Sequence, residues 1–307
     1  MKKILDILLM AIVTGCTHTG NLSNKESKLD KQNPLVVNEG CKSRGAAAQD
    51  IANSEEQYKT GLSFSTGAGG VKDDVRAACW FGLAAEKGNL DAQFMLGAAY
   101  EQGKGVEQND MQAVKYYQAA ASKNFAPAQY RLGRMYGAGR GGLPEDLEKM
   151  VLWTRRSADQ GYVFAEYGMG VFYMSGNGVE KSGLQALSWF SKAVEHGHAY
   201  SAYLAGLIYA TGEDDVPVDS IEALKWYAIA SDGGVPEADA QLGYMYCFGV
   251  AVKENPAVAY RFWKRSIDRL DANSEYLPRV TAGIESLKKK LTEDEIAKID
   301  NEIRLKK

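Results

Sequence analysis

One pattern recurs six times along this chain of 307 residues, and it constrains the fold more than any other feature. Its clearest copy runs from Ala92 to Pro127, and the alanine, glycine and aromatic positions of this copy return at spacings of 36 or 37 residues. The glycine inside the pattern is Gly97 here, and its equivalents are Gly61, Gly133, Gly170, Gly206 and Gly243. Self-similarity at this period indicates a repeat array, in which each unit packs only against its neighbours.

Each copy is predicted to form a helix hairpin. In the Ala92 copy, apolar residues recur every three to four positions, which is the period of a helix. Gly103 follows, and a glycine can adopt the left-handed conformation that ends a helix. Asn109 or Asp110 is then placed to cap a second helix. Gly97 lies inside the first helix, where glycine costs about 1 kcal/mol relative to alanine. We therefore expect it to allow close packing against a Trp or Tyr of the second helix.

The full pattern is A-x-x-x-L-G-x-x-Y-x-x-G-x-G-V followed by A-x-x-W-Y/F-x-x-A-A-x-x-G, and it resembles the Sel1-like repeats of the tetratricopeptide superfamily. The best matches are Trp80 to Gly88 and Trp226 to Ala230, and the resemblance spans residues 55 to 270. It implies an all-α, right-handed α-solenoid of about six helix-hairpin repeats over residues 55–274. A capping box at Thr292 predicts that residues 275–307 form a C-terminal capping helix pair.

The amino terminus has the order of a targeting signal. Two lysines precede an apolar stretch over residues 4–13, which is too short to span a bilayer as a helix. The stretch ends in Val13-Thr14-Gly15-Cys16, which resembles the lipobox of bacterial lipoproteins, although Asp6 is an unusual charge within it. The resemblance implies a signal peptide over residues 1–15 and lipidation of Cys16. The alternative is a cytoplasmic protein whose first residues are apolar by accident.

Residues 16–45 are predicted to be a flexible tether, because Asn, Ser, Lys, Asp and Gln dominate after the cysteine and little can be buried. Thr17 follows Cys16, whereas enterobacterial lipoproteins retained in the inner membrane carry an aspartate there. The lipobox resemblance therefore implies attachment to the outer membrane, facing the periplasm. Of the other cysteines, Cys41 and Cys79 are candidates for a disulfide, and Cys247 is expected to be a small buried apolar residue.

The residues that carry catalysis or bind metals are sparse. A net charge of -3 provides no basic surface for nucleic acid. His196 and His198 flank a glycine, with no third ligand nearby in the sequence to complete a metal site, so neither a metal nor a cofactor is expected. Ser286 and Lys289 match the serine motif of penicillin-binding enzymes, but the two accompanying motifs are missing. We therefore predict that the chain is not an enzyme.

Surface positions on the first helix of each hairpin are the candidate binding residues. In tetratricopeptide-like arrays these helices line the concave side, and partners contact their variable positions. Two positions are of interest, two and six residues after the repeat alanine. They are occupied by Phe94, Tyr130, Tyr167 and Tyr203, and by Arg134, Val171, Leu207 and Tyr244, respectively. Aromatic and arginine side chains are common anchors of interfaces. The alternative is that the aromatic series, here called the ladder, packs neighbouring repeats together.

The combined interpretation is a protein-binding lipoprotein anchored to the membrane through its amino terminus. The resemblance to Sel1-like lipoproteins implies one particular role, that of a periplasmic immunity protein that neutralises a phospholipase effector of the type VI secretion system. An envelope scaffold or adaptor is the main alternative. A β-lactam-binding or hydrolysing enzyme is a further one, since cysteine-rich members of the family are credited with that activity, but this chain lacks their repeated cysteine pairs.

Overall fold

The computed structural model describes residues 53–68, 70–213 and 215–305, and it is built from α-helices throughout these ranges. The helices up to residue 162 are α1 (Ser54–Thr66), α2 (Asp74–Glu86), α3 (Leu90–Gln102), α4 (Asp110–Ala121), α5 (Ala126–Gly137) and α6 (Leu147–Ala158). Those that follow are α7 (Val163–Ser175), α8 (Gly183–Glu195), α9 (Ala199–Thr211), α10 (Ser220–Asp232), α11 (Pro236–Phe248), α12 (Pro256–Ile267), α13 (Tyr276–Lys288) and α14 (Glu293–Leu305). None of the described helices is both long and apolar enough to span a membrane.

The described helices divide into two compact units, one that ends at Tyr162 and one that begins at Val163. The first contains three hairpins, α1–α2, α3–α4 and α5–α6, and the second contains α7–α8, α9–α10 and α11–α12. Within each unit, the first helix of a hairpin, called helix A, packs on the second helix, helix B, of the hairpin before it. In the second unit, α13 and α14 pack on α12. The prediction of an all-α solenoid of six hairpins is confirmed.

Side-chain caps define where the B helices begin. Of the two predicted caps of α4, Asn109 is the one that acts, because its side chain accepts a hydrogen bond from the Gln112 backbone N–H at 3.1 Å. Asp146 and Asn255 cap α6 and α12 in the same way. Gly103 ends α3 at a φ of 67°, in the left-handed region, as predicted. These local signals repeat with the sequence pattern, so the hairpins repeat as well.

Close packing at Gly97 is confirmed, because a Cβ atom added there would lie 2.8 Å from Cε1 of Tyr117. This ring belongs to the residue after Tyr116, the aromatic of the repeat signature, which instead stacks on Tyr100 at 5.9 Å. Corresponding pairs in four other hairpins are Gly61–Phe81, Gly170–Phe190, Gly206–Tyr227 and Gly243–Trp263. A glycine is therefore needed inside helix A because the helix B ring fills the volume that a side chain would take.

Just after the repeat alanine lies a buried polar position that sequence reasoning missed. Gln93 and Gln129 occupy it in the first unit, and each donates a hydrogen bond to a backbone carbonyl at the end of the preceding B helix, at 3.2 and 3.3 Å. Glu166 and Asp239 occupy it in the second unit. A carboxylate has no N–H to donate, so these repeats supply donors to it instead.

Those donors come from the neighbouring turns and B helices. His196 ends α8, and its Nδ1 lies 2.7 Å from Oε2 of Glu166. The Asp239 carboxylate accepts a 2.5 Å hydrogen bond from the Ser231 hydroxyl and pairs with Arg265 and Arg269. Because both carboxylates are buried, these partners are what makes a charged residue tolerable at this position.

Two of the four cysteines, Cys79 and Cys247, lie within the described residues. Cys79 is disulfide-bonded, whereas Cys41 lies outside the described residues, so their pairing with each other stays a prediction. Cys247 is a free thiol that is half-buried against the α12–α14 core, and burial raises its pKa. A raised thiol pKa reduces the thiolate fraction, which fits a packing role. Cys16 also lies outside the described residues.

Candidate partner-binding surface

The ladder residues occupy the same position on successive A helices, but they are not equally accessible. Phe94 on α3, Tyr130 on α5 and Tyr167 on α7 are half-buried. Tyr203 on α9 is only 3% exposed, and Val171 on α7 is only 2% exposed. Side chains this deeply buried present almost no area to a partner, so we leave both of them out of the proposed surface.

Each half-buried ladder ring packs against an aromatic or histidine ring at one recurring position, three residues before the first residue of the next copy (Ala128, Ala165 or Ser201). Phe94 lies 6.0 Å from Phe125 between ring centroids, and Tyr130 lies 5.7 Å from Tyr162. In the second unit, Tyr167 lies 4.6 Å from His198. The ladder therefore contributes to packing between repeats, and its contact with a partner stays a prediction.

At this recurring position the residue before the A helix is a capping asparagine in one repeat and a ring without a capping hydrogen bond in two others. Asn89 caps α3 through its side chain, whereas Phe125 and His198 make no such bond to α5 and α9. A lost cap costs about 1 kcal/mol, and an aromatic pair contributes roughly 0.5–1.5 kcal/mol beyond its buried area. The two effects are similar in size, so the rings offset the missing cap.

In the second unit the ladder residue Tyr203 contacts α13, the first of the C-terminal helices. Tyr276, the first residue of α13, places its hydroxyl 2.7 Å from the hydroxyl of Tyr203. Gln241 on α11 donates a hydrogen bond to the same Tyr276 hydroxyl at 3.2 Å. The sequence contained no signal for this contact, because 73 residues separate the two tyrosines. It leaves no room for a partner at Tyr203.

The third hairpin, α5–α6, carries a charged cluster beside the ladder. Arg131, which sequence analysis did not single out, lies 3.8 Å from Glu101 on α3. Arg140 lies 3.5 Å from the same carboxylate and forms a bidentate pair with Asp110 at 2.8 and 2.9 Å. Glu101 also accepts a 2.7 Å hydrogen bond from the Tyr117 hydroxyl. A polar network of this kind fixes the side chains that surround it.

Arg134, one of the predicted binding residues, lies on α5 next to this network and is half-buried. Burial raises the pKa of the Tyr130 hydroxyl, and the positive charges of Arg134 and Arg131 oppose that increase. Arg131 has the same opposing effect on the pKa of Tyr162. Both arginines therefore lie near Tyr130, and Arg131 also lies near Tyr162, whose ring packs on that of Tyr130.

A separate aromatic pair lies on α11. Tyr244, a predicted binding residue, is 50% exposed, and Phe248 is 63% exposed. Their ring centroids are 4.8 Å apart, one helical turn from each other. Leu207, at the corresponding position of α9, is half-buried. Phe248 could have been found from the sequence, because it lies four residues after Tyr244 and so on the same face of the helix.

The residues considered for other chemistry are Ser286, Lys289 and the two histidines of the α8–α9 turn. Ser286 and Lys289 are exposed at the C-terminal end of α13. Histidine, cysteine and carboxylate side chains form no cluster able to hold a metal ion within the described ranges. His198 is half-buried on Tyr167, and burial lowers its pKa, which favours the neutral ring. The arrangement of these side chains is that of packing and surface residues.

The Sel1 repeat model matches residues 57–89, 90–125, 126–162, 163–198, 199–235 and 236–269. Because these ranges make up more than half of the chain, the protein belongs to the Sel1 repeat family. Repeats of this family generally mediate protein–protein interaction. The comparison with curated protein sequences gave no match.

Solved structures with this fold include a protective antigen of uropathogenic Escherichia coli, c5321, with 30% identity and a TM-score of 0.68 over 78% of this chain. The chain spans only 50% of the length of that structure. A Sel1 repeat protein from Oxalobacter formigenes has 26% identity and a TM-score of 0.62, over 74% of this chain and 96% of its own. The Pseudomonas aeruginosa immunity protein Pa5087 is more distant, with 19% identity and a TM-score of 0.44 over 76% of this chain and 81% of its own.

Proposed function

We propose that this chain is a non-enzymatic module that binds another protein through the A helices of its repeats. The observation that carries the proposal is the surface of Tyr130, Arg131, Arg134 and Tyr162. Aromatic rings and arginines lie near one another there, and the two arginine positions differ between copies, while the alanines and glycines of the pattern form the scaffold. Tyrosine and arginine dominate the energetics of protein interfaces. The exposed pair of Tyr244 and Phe248 is a second candidate contact.

We also propose that the module is a lipoprotein attached to the outer membrane and facing the periplasm. The support is the sequence order of basic residues, apolar stretch and lipobox ending at Cys16. The lipobox resemblance implies three acyl chains on Cys16, two in a diacylglycerol on its thiol and one on its amine, and these bury many more CH₂ groups than the single chain that gives only marginal anchoring. In cells fed radiolabelled palmitate, we expect the wild type to be labelled and Cys16→Ser to carry no label. Persistent labelling of Cys16→Ser would rule out lipidation at this residue.

Within this function, a phospholipase effector of the type VI secretion system is the particular partner we propose. Its support is the resemblance of the chain to Sel1-like immunity lipoproteins. A gene for a lipase-like toxin next to the gene for this chain, and inhibition of that lipase by the purified chain, are the expected results. If no such toxin is encoded there, or the lipase stays active, an envelope scaffold or adaptor becomes the better assignment.

The binding function itself is tested by capture from envelope extracts. We expect the mature chain, solubilised in detergent, to retain at least one envelope protein reproducibly, and we expect it not to hydrolyse a chromogenic β-lactam. A matched sample unfolded by heat before immobilisation controls for nonspecific adsorption. Failure to retain any envelope protein, combined with measurable β-lactam hydrolysis, would overturn the proposed function in favour of an enzyme.

A further inference from the structure

We propose that residues 41–52 of this chain cover one edge of α1, the first helix of the array, and that a disulfide between Cys41 and Cys79 holds them there. Two observations on described residues support this interaction, a buried glutamine on α1 and a disulfide bond on α2. Both point to residues that precede α1. The open end of the array is then covered by a segment of the same chain.

Gln57 on α1 is buried, with only 2% of its surface exposed, although no described helix precedes α1. Its equivalents in the next two copies, Gln93 and Gln129, lie against the end of the preceding helix B. There each donates a hydrogen bond to the carbonyl eight residues earlier, at 3.2 and 3.3 Å. Gln57 also has an interaction partner within the chain. The residues just before α1 are therefore in the right place to cover it.

The repeat register continues upstream of α1. Asn53 caps α1 and Asn89 caps α3, each by accepting a backbone N–H bond, at 2.9 and 2.8 Å. Followed further back at the spacing of 36 residues, the register places Ala48 at the position of Ala84, which is fully buried near the end of α2. Gln49 then lies eight residues before the buried glutamine of α1, so its carbonyl is the acceptor we assign to that amide.

The covered edge is narrow, and this selects the occupant. Glu56 and Thr60 take the repeat positions of Ala92 and Leu96, which are both fully buried. Glu56, in contrast, is exposed, and Thr60 is half-buried. A complete helix B, whether from this chain or from a second copy, would bury the Glu56 carboxylate, which is costly without a partner. A short segment that reaches only the Gln57 edge leaves this carboxylate in water.

Cys79 on α2 provides the second observation, because it is disulfide-bonded. The sequence has four cysteines, and Cys247 is a free thiol, so the bonded partner is Cys16 or Cys41. Lipidation would occupy the thiol of Cys16, and Cys41 is therefore the partner we assign. This step rests on the proposed lipoprotein function.

The chain is long enough for this connection. Positions 41 and 53 are 12 residues apart, and that length spans up to about 40 Å when fully extended. Packed helices such as α1 and α2 lie only about 8–10 Å apart between their axes, so Cys79 is within reach. The bond forms by exchange with the disulfide of a periplasmic thiol oxidant. That disulfide becomes two thiols by taking up the two protons and two electrons that Cys41 and Cys79 lose.

Disulfide mapping of the purified mature chain, equilibrated in glutathione redox buffer, tests the connection. Mass spectrometry of a digest without reductant should find Cys41 and Cys79 in one linked peptide. A peptide that links Cys16 to Cys79, or a free thiol at Cys79, would overturn the inference. Because the buffer supplies the oxidant, the result does not depend on cellular location. If Cys16 takes up no palmitate but the Cys41–Cys79 peptide is found, only the proposed anchor is wrong.

Trypsin tests whether the segment is held against α1. Lys42 and Arg44 lie within the segment, and Lys28 and Lys31 precede it as internal controls. We expect cleavage after Lys42 and Arg44 to be at least about tenfold slower than after the controls, because the protease cuts only the released segment. Reducing the disulfide should bring the four rates within about threefold of one another. Equal rates in the oxidised chain would overturn the inference.

A pair of variants tests the hydrogen bond from α1. Gln57→Glu removes the amide donor, and we expect cleavage after Arg44 to become at least about fivefold faster. Glu56→Gln changes the adjacent exposed side chain and should leave the rate within about twofold of the wild type. Equal rates in the two variants would contradict the assignment, and protection that disappears on dilution would assign the edge to a second copy of the chain. Circular dichroism of each variant separates release of the segment from loss of fold.

Discussion

Replacing Trp263 with alanine should lower the free energy of unfolding by about 3–5 kcal/mol. The ring is buried in the core that joins the last hairpin to the C-terminal helices, where Val280, Ile284 and Leu287 surround it. Its Nε1 donates a 3.0 Å hydrogen bond to the Ala240 carbonyl. The ring packs directly on Gly243 of α11 and Gly283 of α13, where a side chain would overlap it. Alanine would therefore leave a cavity shared by three helices.

Urea unfolding followed by circular dichroism measures this effect, with Phe262→Ala as the matched control. Phe262 precedes Trp263 on α12, but it is only half-buried, and it stacks on Tyr246 at 5.8 Å. Removing the Phe262 ring should therefore lower the free energy of unfolding clearly less than removing the Trp263 ring. If the two variants were equally stable, the packing assigned to Trp263 would be wrong.

The second large effect is expected for Gly206→Val. A Cβ atom at this position would lie 2.6 Å from two carbons of the Tyr227 ring, and that ring is itself buried in the α9–α10 hairpin. The two helices cannot move away from each other without opening the core between them. We therefore expect the free energy of unfolding to fall by about 3 kcal/mol, at the upper end of overpacking effects. The gain from replacing glycine within a helix, at most about 1 kcal/mol, does not offset it.

The control for this variant is Ala210→Val, which adds a β-branched side chain at an exposed position of the same helix. This variant should lower the free energy of unfolding by less than about 1 kcal/mol, because only helix propensity changes. Thermal unfolding of both proteins gives the comparison. An unchanged melting temperature for Gly206→Val would show that the two helices do not approach each other as closely as the account requires.

Most of the fold could be predicted because its signals are local and repeat. Asn109 caps its helix within three residues, and Gly103 ends the preceding one, so each hairpin is encoded in one stretch of sequence. The identity of the packed aromatic could not be predicted. Tyr116 and Tyr117 are adjacent, and which one faces Gly97 depends on how far helix B is rotated against helix A. That rotation is set by packing across the whole hairpin.

The candidate surface was predicted only in part. Arg134 and Tyr244 were identified because they differ from the other copies at the same position, and both lie at least partly exposed. Arg131 was missed because its role depends on Glu101 in the preceding repeat. The covering of Tyr203 by Tyr276 was missed because it joins residues far apart in the sequence, where no repeat pattern applies. Contacts of that kind are decided by tertiary packing.

Binding through the A helices is the central claim, and its most direct test is the affinity of the captured envelope protein for Arg134→Ala and Tyr244→Ala. We predict that at least one of these variants binds about tenfold more weakly or worse, with a nearly unchanged melting temperature. Ile229→Ala removes a similarly exposed apolar side chain from helix B of the fifth hairpin and should bind as the wild type does. Wild-type affinity in both A-helix variants, or a weakened affinity that only accompanies a loss of stability, would contradict the account.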